Sequence, residues 1–134
     1  MDLSRLAAAA AALSDVRLAV VFGSAARDAL RVDSDVDVAV WLENNTLPVR
    51  SAVEQAFGDV CARALDFVVI NDAAPQLRFE IAKGVLVFER EAGVWSAMKA
   101  RAMIDWWDWE PTATAMHRIY IERLRAQIGR ARAS

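Results

Sequence analysis

The stretch from Val20 to Asp37 constrains this chain more than any other. It reads Val20-Val21-Phe22-Gly23-Ser24, ten further residues, then Asp35-Val36-Asp37. Leu18 to Phe22 is a continuous apolar run with the length and composition of a buried strand. Gly23-Ser24 breaks that run, and Ala25 to Leu30 can form a turn or two of helix with Ser24 as its N-cap. Asp35 to Leu42 then alternates. Val36, Val38, Val40 and Leu42 fall on one side, with Asp35, Asp37, Ala39 and Trp41 on the other. A glycine turn and two acids are thereby set at the ends of two strands that can be neighbours.

Each part has a chemical reading and a bland one. A strand that ends in Gly-Ser before a helix offers backbone N–H groups and a hydroxyl to an anion, with no side chain on Gly23 to block a phosphate. Arg27, about one helical turn beyond Ser24, can reach the same anion. Taken alone, such a turn is more often plain strand-to-helix punctuation. The acids weigh on the other side. Asp35 and Asp37 lie two apart on a strand, so their carboxylates share a face with Cα atoms roughly 7 Å apart. Side chains of that reach can converge on divalent ions, which stand about 3.5–4 Å apart in two-metal sites. Aspartate fits strands poorly, and two like charges on a valine-rich strand repel one another. Asp66 opens a later apolar run, Asp66-Phe67-Val68-Val69-Ile70. If that strand lies beside the one carrying Asp35 and Asp37, three carboxylates converge, a set of hard oxygen donors suited to magnesium and a nucleotide triphosphate.

The rest of the chain supplies a frame of alternating elements. Asp2 to Leu13 is a helix by propensity, with Leu3, Leu6, Ala10 and Leu13 on one face. Thr46 or Asn45 caps a helix through Pro48 that ends near Phe57-Gly58. Ala64 to Ile70 is a strand, Pro75 opens a helix to Lys83 that Gly84 closes, and Val85 to Phe88 is a short strand. The last third is helical: Trp95 to Trp109, a stop at Pro111, then a second helix from Thr112 to about Arg130. This pattern predicts an α/β domain, a small mixed β-sheet with flanking helices and a helical C-terminal tail. We expect one domain over residues 1–134, with a core at about 15–90 and the tail at about 94–131.

Composition narrows the function classes. A net charge of −2 over 134 residues gives no basic field, so strong nucleic-acid binding by phosphate neutralisation is not expected. The charge is uneven, with Arg118, Arg123, Arg125, Arg130 and Arg132 crowding the end. These read as a solvated face, with partner or RNA contact as the sharper reading. Cys61 is the only cysteine, and His117 the only histidine, which rules out a disulfide framework and a cysteine zinc site. Cys61 is expected to be a buried apolar thiol and His117 a surface or helix-packing residue. The Ala-rich stretch Leu6 to Leu13 is too short to span a bilayer and lacks the form of a signal peptide, so a cytoplasmic protein is expected. Trp106 and Trp107 are adjacent and cannot face the same way, so at least one tryptophan is expected to be exposed or to meet a partner, while Trp95 and Trp106 are expected to pack in the core.

Gly23-Ser24, ten residues, Asp35-x-Asp37 and a third aspartate on a following strand resemble the signature of DNA-polymerase-β-like nucleotidyltransferases. Residues 20–27, 33–40 and 78–89 look like the minimal nucleotidyltransferase (MNT) subfamily, the antitoxins of HEPN/MNT toxin–antitoxin systems. That resemblance implies that Gly23 and Ser24 hold the β- and γ-phosphates of ATP, with Arg27 as a further phosphate contact. It implies that Asp35 and Asp37 ligate Mg2+, and that Asp66 completes a two-metal site and helps activate the attacking hydroxyl. It implies an antitoxin encoded beside a HEPN ribonuclease toxin, transferring AMP from ATP to a tyrosine of that partner. Two rival readings stand beside it: an antitoxin that neutralises its toxin by binding alone, and a nucleotidyltransferase acting on a small molecule such as an aminoglycoside.

Overall fold

The computed structural model describes residues 3–23, 35–61 and 64–133. The expected helix over Ala25–Leu30, with Ser24 and Arg27, lies outside the described residues. Within them, helix α1 (Leu3–Ala12) leads to strand β1 (Val16–Phe22). Strand β2 (Val36–Leu42) follows, then helix α2 (Leu47–Val60), strand β3 (Leu65–Val69) and a 3-10 turn at Ile70–Asp72. Helix α3 (Pro75–Ala82), strand β4 (Val85–Glu89) and helix α4 (Val94–Ala133) complete the order. The four strands form one mixed sheet in the order β3-β2-β1-β4. β1 pairs antiparallel with β2 and with β4, whereas β2 and β3 run parallel. A parallel neighbour needs a crossover, and α2 supplies it.

Both faces of the sheet are covered, and the strands carry the apolar runs that such burial requires. On one face Val16, Ala19, Val21, Val36, Val38, Val40 and Leu42 pack with Leu6 and Ala10 of α1 and Val53 and Phe57 of α2. On the other, Leu18, Val20, Phe22 and Ala39 pack with Ile70 and Ile81, and with Leu77, Val94, Trp95 and Met98 of α3 and α4. Alternation along β2 follows: the valines enter the first core, while Ala39 and Trp41 meet the second. The side shared by Asp37 is therefore not a solvated face. It is an apolar interface with acids only at its end.

Local chemistry explains most boundaries. Thr46 Oγ1 accepts from the Val49 N–H at 3.4 Å, and Pro48 occupies the first turn of α2, where its missing N–H has no helical partner to lose. The helix runs two residues past Gly58, to Val60, and Cys61 closes it by donating its N–H to the Phe57 carbonyl. Gly58 keeps a negative φ and does not act as a stop; among the described residues the positive φ values belong to Gly23 and Gly93. Cys61 is half-buried against the first core rather than fully buried.

The C-terminal third differs from the expected pair of helices. α4 is one helix of 40 residues with Pro111 inside it. A proline removes one helical hydrogen bond and crowds the carbonyl four residues back, at a cost of about 3 kcal/mol. That carbonyl belongs to Trp107, which is 69 % exposed, so water can take the place of the missing donor. Trp106 stacks on Phe79 at 4.8 Å and lies 5.4 Å from Trp109. The adjacent pair thus splits, with Trp106 on the body and Trp107 in solvent. Among the described residues no helix is long and apolar enough to cross a membrane.

Two side chains hold the frame together without any sign in the local sequence. The Arg90 guanidinium donates to the carbonyls of Ala10, Ala11, Leu13 and Val16 at 2.7–3.2 Å, satisfying the open C-terminal end of α1. Asn71 both accepts from the Leu42 N–H at 3.0 Å and donates to the Leu42 carbonyl at 2.9 Å. Its amide imitates one more rung of strand where the chain has already turned into the 3-10 segment.

Candidate nucleotide- and metal-binding site

The functional candidates gather where β1 ends and β2 and β3 begin. In the antiparallel pair, Phe22 lies opposite Asp37; in the parallel pair, Asp37 lies opposite Asp66. Neighbouring strands stand about 4.8 Å apart, so the two carboxylates start from backbone positions one strand spacing apart on the same side of the sheet. Gly23 follows Phe22 with φ of +72°, a conformation that side chains with a Cβ rarely adopt. A Cβ there would also run into the Asp37 carboxylate. The glycine is thus required twice over, for the turn and for the room in which the acid lies. The sequence shows a glycine open to an incoming phosphate; the packing shows that Asp37 occupies the space its side chain would fill.

Electrostatics single out Asp37. It is half-buried, whereas Asp35 and Asp66 are exposed. Its proton affinity is raised above the ordinary carboxylate value, first by loss of hydration, then by a side-chain hydrogen bond with Asp66, and by the negative charges of Asp66 and Asp35. Like charges this close favour the neutral form of Asp37. Asp35 stands one residue before β2. The structure therefore sets Asp37 and Asp66 side by side, with Asp35 acting on Asp37 through its charge. Among the described residues no three His, Cys, Asp or Glu side chains form a ready metal cage. Ser24 and Arg27 fall outside the described residues.

The donor chemistry nonetheless fits a hard divalent cation. Oxygen ligands crowded by like charge are what Mg2+ prefers, and it usually keeps several waters and takes only one or two carboxylates from the protein. A cation bound there would offset the negative charges of Asp66 and Asp35 that add to the raised proton affinity of Asp37. His117 is exposed, lines a shallow cleft with Gln76, Trp106 and Trp109, and belongs to no metal-ligand group among the described residues.

Comparison with known proteins bears on the same region. The family model described as "Polymerase beta, Nucleotidyltransferase" matches residues 5–92. Among solved structures, the chain is similar to one from a toxin–antitoxin complex with AMP-PNP (TM-score 0.76, 14 % identity), over 90 % of this chain and 99 % of that one. It is similar to one from the MntA–HepT toxin–antitoxin complex (TM-score 0.70, 13 % identity), over 89 % of this chain and 96 % of that one. A third similar structure is the tri-AMPylated Shewanella oneidensis HEPN toxin in complex with MNT antitoxin (TM-score 0.63, 14 % identity), over 81 % and 85 % of the two chains. At these identities the likeness is one of fold. No curated relative matches the chain by sequence.

Proposed function

The chain belongs to the polymerase-beta nucleotidyltransferase family, and from that premise we propose that it is an antitoxin that transfers AMP from ATP to a tyrosine of a partner HEPN toxin and so neutralises it. The observation that carries the reading is the pair Asp37–Asp66, in register on adjacent parallel strands beside the positive-φ Gly23. Its setting supports it: the fold is shared with a toxin–antitoxin complex that contains AMP-PNP and with one whose HEPN toxin is tri-AMPylated.

In this reading Gly23 and Ser24 receive the β- and γ-phosphates, and Arg27 adds a further phosphate contact. Asp35, Asp37 and Asp66 would hold Mg2+, which would neutralise phosphate charge and steady the attacking and leaving oxygens. Asp66, exposed beside Asp37, takes the proton of the acceptor phenol as its oxygen closes on the α-phosphorus. The new bond joins that oxygen to the α-phosphorus, the bond to the β-phosphate bridging oxygen breaks, and pyrophosphate leaves in line with the attack. The pairing of β2 with β3 sets both acids relative to one another, so the acceptor has a fixed base to approach.

The test uses ATP labelled at the α- or the γ-phosphate, magnesium, and the protein encoded beside this chain as the candidate HEPN acceptor. Label entering the partner from α- but not γ-labelled ATP is the expected result. Label from neither, with the toxin still neutralised, makes the protein a binding-only antitoxin and sinks the transfer reaction.

A further inference from the structure

The outer half of α4 has an apolar stripe that the described residues leave exposed. Trp95 and Met98 pack on the second core, Ala102 is buried, and Trp106 and Trp109 lie together beside Phe79. Stepping outward three or four residues at a time keeps to the same side of a helix. Those steps lead to Met116, Tyr120 and Leu124, and one further turn to Ile128. Their exposures are 66, 60, 36 and 52 %. The face that anchors the helix to the body thus continues beyond the body. No described side chain from Pro111 to Gly129 is buried. From Pro111 to Ala133 the helix extends about 34 Å, and a helix of that kind draws most of its stability from packing an apolar face.

We propose that this stripe docks a helix of the HEPN partner, and that the docked helix carries acidic residues along its flanks. The proposal rests on the partner named above and adds the surface and chemistry by which it is held. Charge selects the occupant. Residues 116–133 contain Arg118, Arg123, Arg125, Arg130 and Arg132 against Glu122 alone. A second copy of this helix would set arginine against arginine, whereas an acid-flanked helix complements it. The stripe advances by about one large residue per turn, the spacing of anchors for a helix laid in a groove. It holds no phenylalanine or tryptophan, the aromatic anchors common in helices that bed into lipid.

The full-length chain with Tyr120→Glu and Leu124→Glu keeps its fold, since both positions are exposed; its thermal midpoint checks this. Its affinity for the HEPN protein encoded beside it should fall at least tenfold, and KM for that acceptor should rise by a similar factor. The turnover at saturating acceptor should stay within about twofold. Arg123→Glu with Arg125→Glu should also weaken binding and flatten its dependence on salt. Affinity within twofold of wild type in the first variant overturns the docking surface while leaving the transfer reaction standing. Binding that depends on the stripe, without AMP transfer, supports the surface and removes the reaction. A wild-type chain that binds no such partner ends both. A dimer of this chain broken by the same substitutions, or wild-type binding to anionic vesicles or RNA that the substitutions abolish, replaces the proposed occupant and overturns the inference.

Discussion

The two ends of the sheet are built on opposite terms. At the end where β1 starts and β2 finishes, polar groups are tied. Arg90 closes four carbonyls of the α1 region, Asn71 doubles as a rung beside Leu42, Arg78 donates to the carbonyls of Ile70 and Asn71, and Arg17 pairs with Glu43 at 2.8 Å. At the end where β1 finishes, Asp37 and Asp66 face one another with no cation of the described residues paired to either, and the Asp37 proton is held more tightly than usual. The first end spends its side chains on stability. The second keeps an arrangement that folding alone does not favour, the expected mark of a functional site.

The contrast breaks most sharply at Asp37. Asp37→Asn should lower AMP transfer by at least about a hundredfold, a common cost of losing a group in direct contact with the reacting centre. The same variant should be no less stable than wild type at neutral pH. A raised folded-state pKa means that the folded protein binds this proton more tightly than the unfolded chain does. The stabilisation is complete below the unfolded carboxylate range and is lost as pH rises through the folded value. Metal-free wild type should therefore gain on Asp37→Asn as pH falls from neutral into the carboxylate range, which denaturant midpoints in chelator would show. A variant that retains full transfer, or a gap that widens in the other direction, would break the assignment.

Arg90→Ala tests the opposite end. It leaves several carbonyls without their charged donor, and a stability loss of about 2–4 kcal/mol follows from the worth of charge-assisted hydrogen bonds. Chemical denaturation should report that loss, while the kcat of the folded fraction stays near wild type. Gly23→Ala bears on both backbone and site. Strain at positive φ is worth roughly 1–2 kcal/mol, and the added methyl group displaces the Asp37 carboxylate. Stability should fall by about that amount and transfer should fall more than tenfold. A stable, fully active Gly23→Ala would show that neither the turn nor the space beside Asp37 matters.

Much of this contrast could be read in the sequence, but unevenly. The acids were visible because aspartate is out of place in a valine-rich strand, and Gly23 because it interrupts an apolar run. Asp66 showed the same signature one strand later. The clamp made by Arg90 was invisible, because its partners lie 74 to 80 residues earlier and a carbonyl leaves no trace in a residue pattern. Pro111 misled for a related reason: propensity counts the lost hydrogen bond, but not whether the freed carbonyl can reach water. Gly58 reads as a stop on the same local grounds, although the helix passes through it without leaving normal backbone angles.

By itself, then, the sequence determined most of the strands and helices of the described residues, and that a glycine and three aspartates fall at or beside strand ends, because burial periodicity and backbone preference act over a few residues. Only the tertiary structure decided that β3 lies parallel beside β2, which sets Asp66 level with Asp37. Only it decided that Gly23 makes room for a carboxylate and that one face of α4 outruns the body it packs on. These depend on strand order and on contacts between distant segments, where the energy lies in what each surface meets rather than in what each residue prefers.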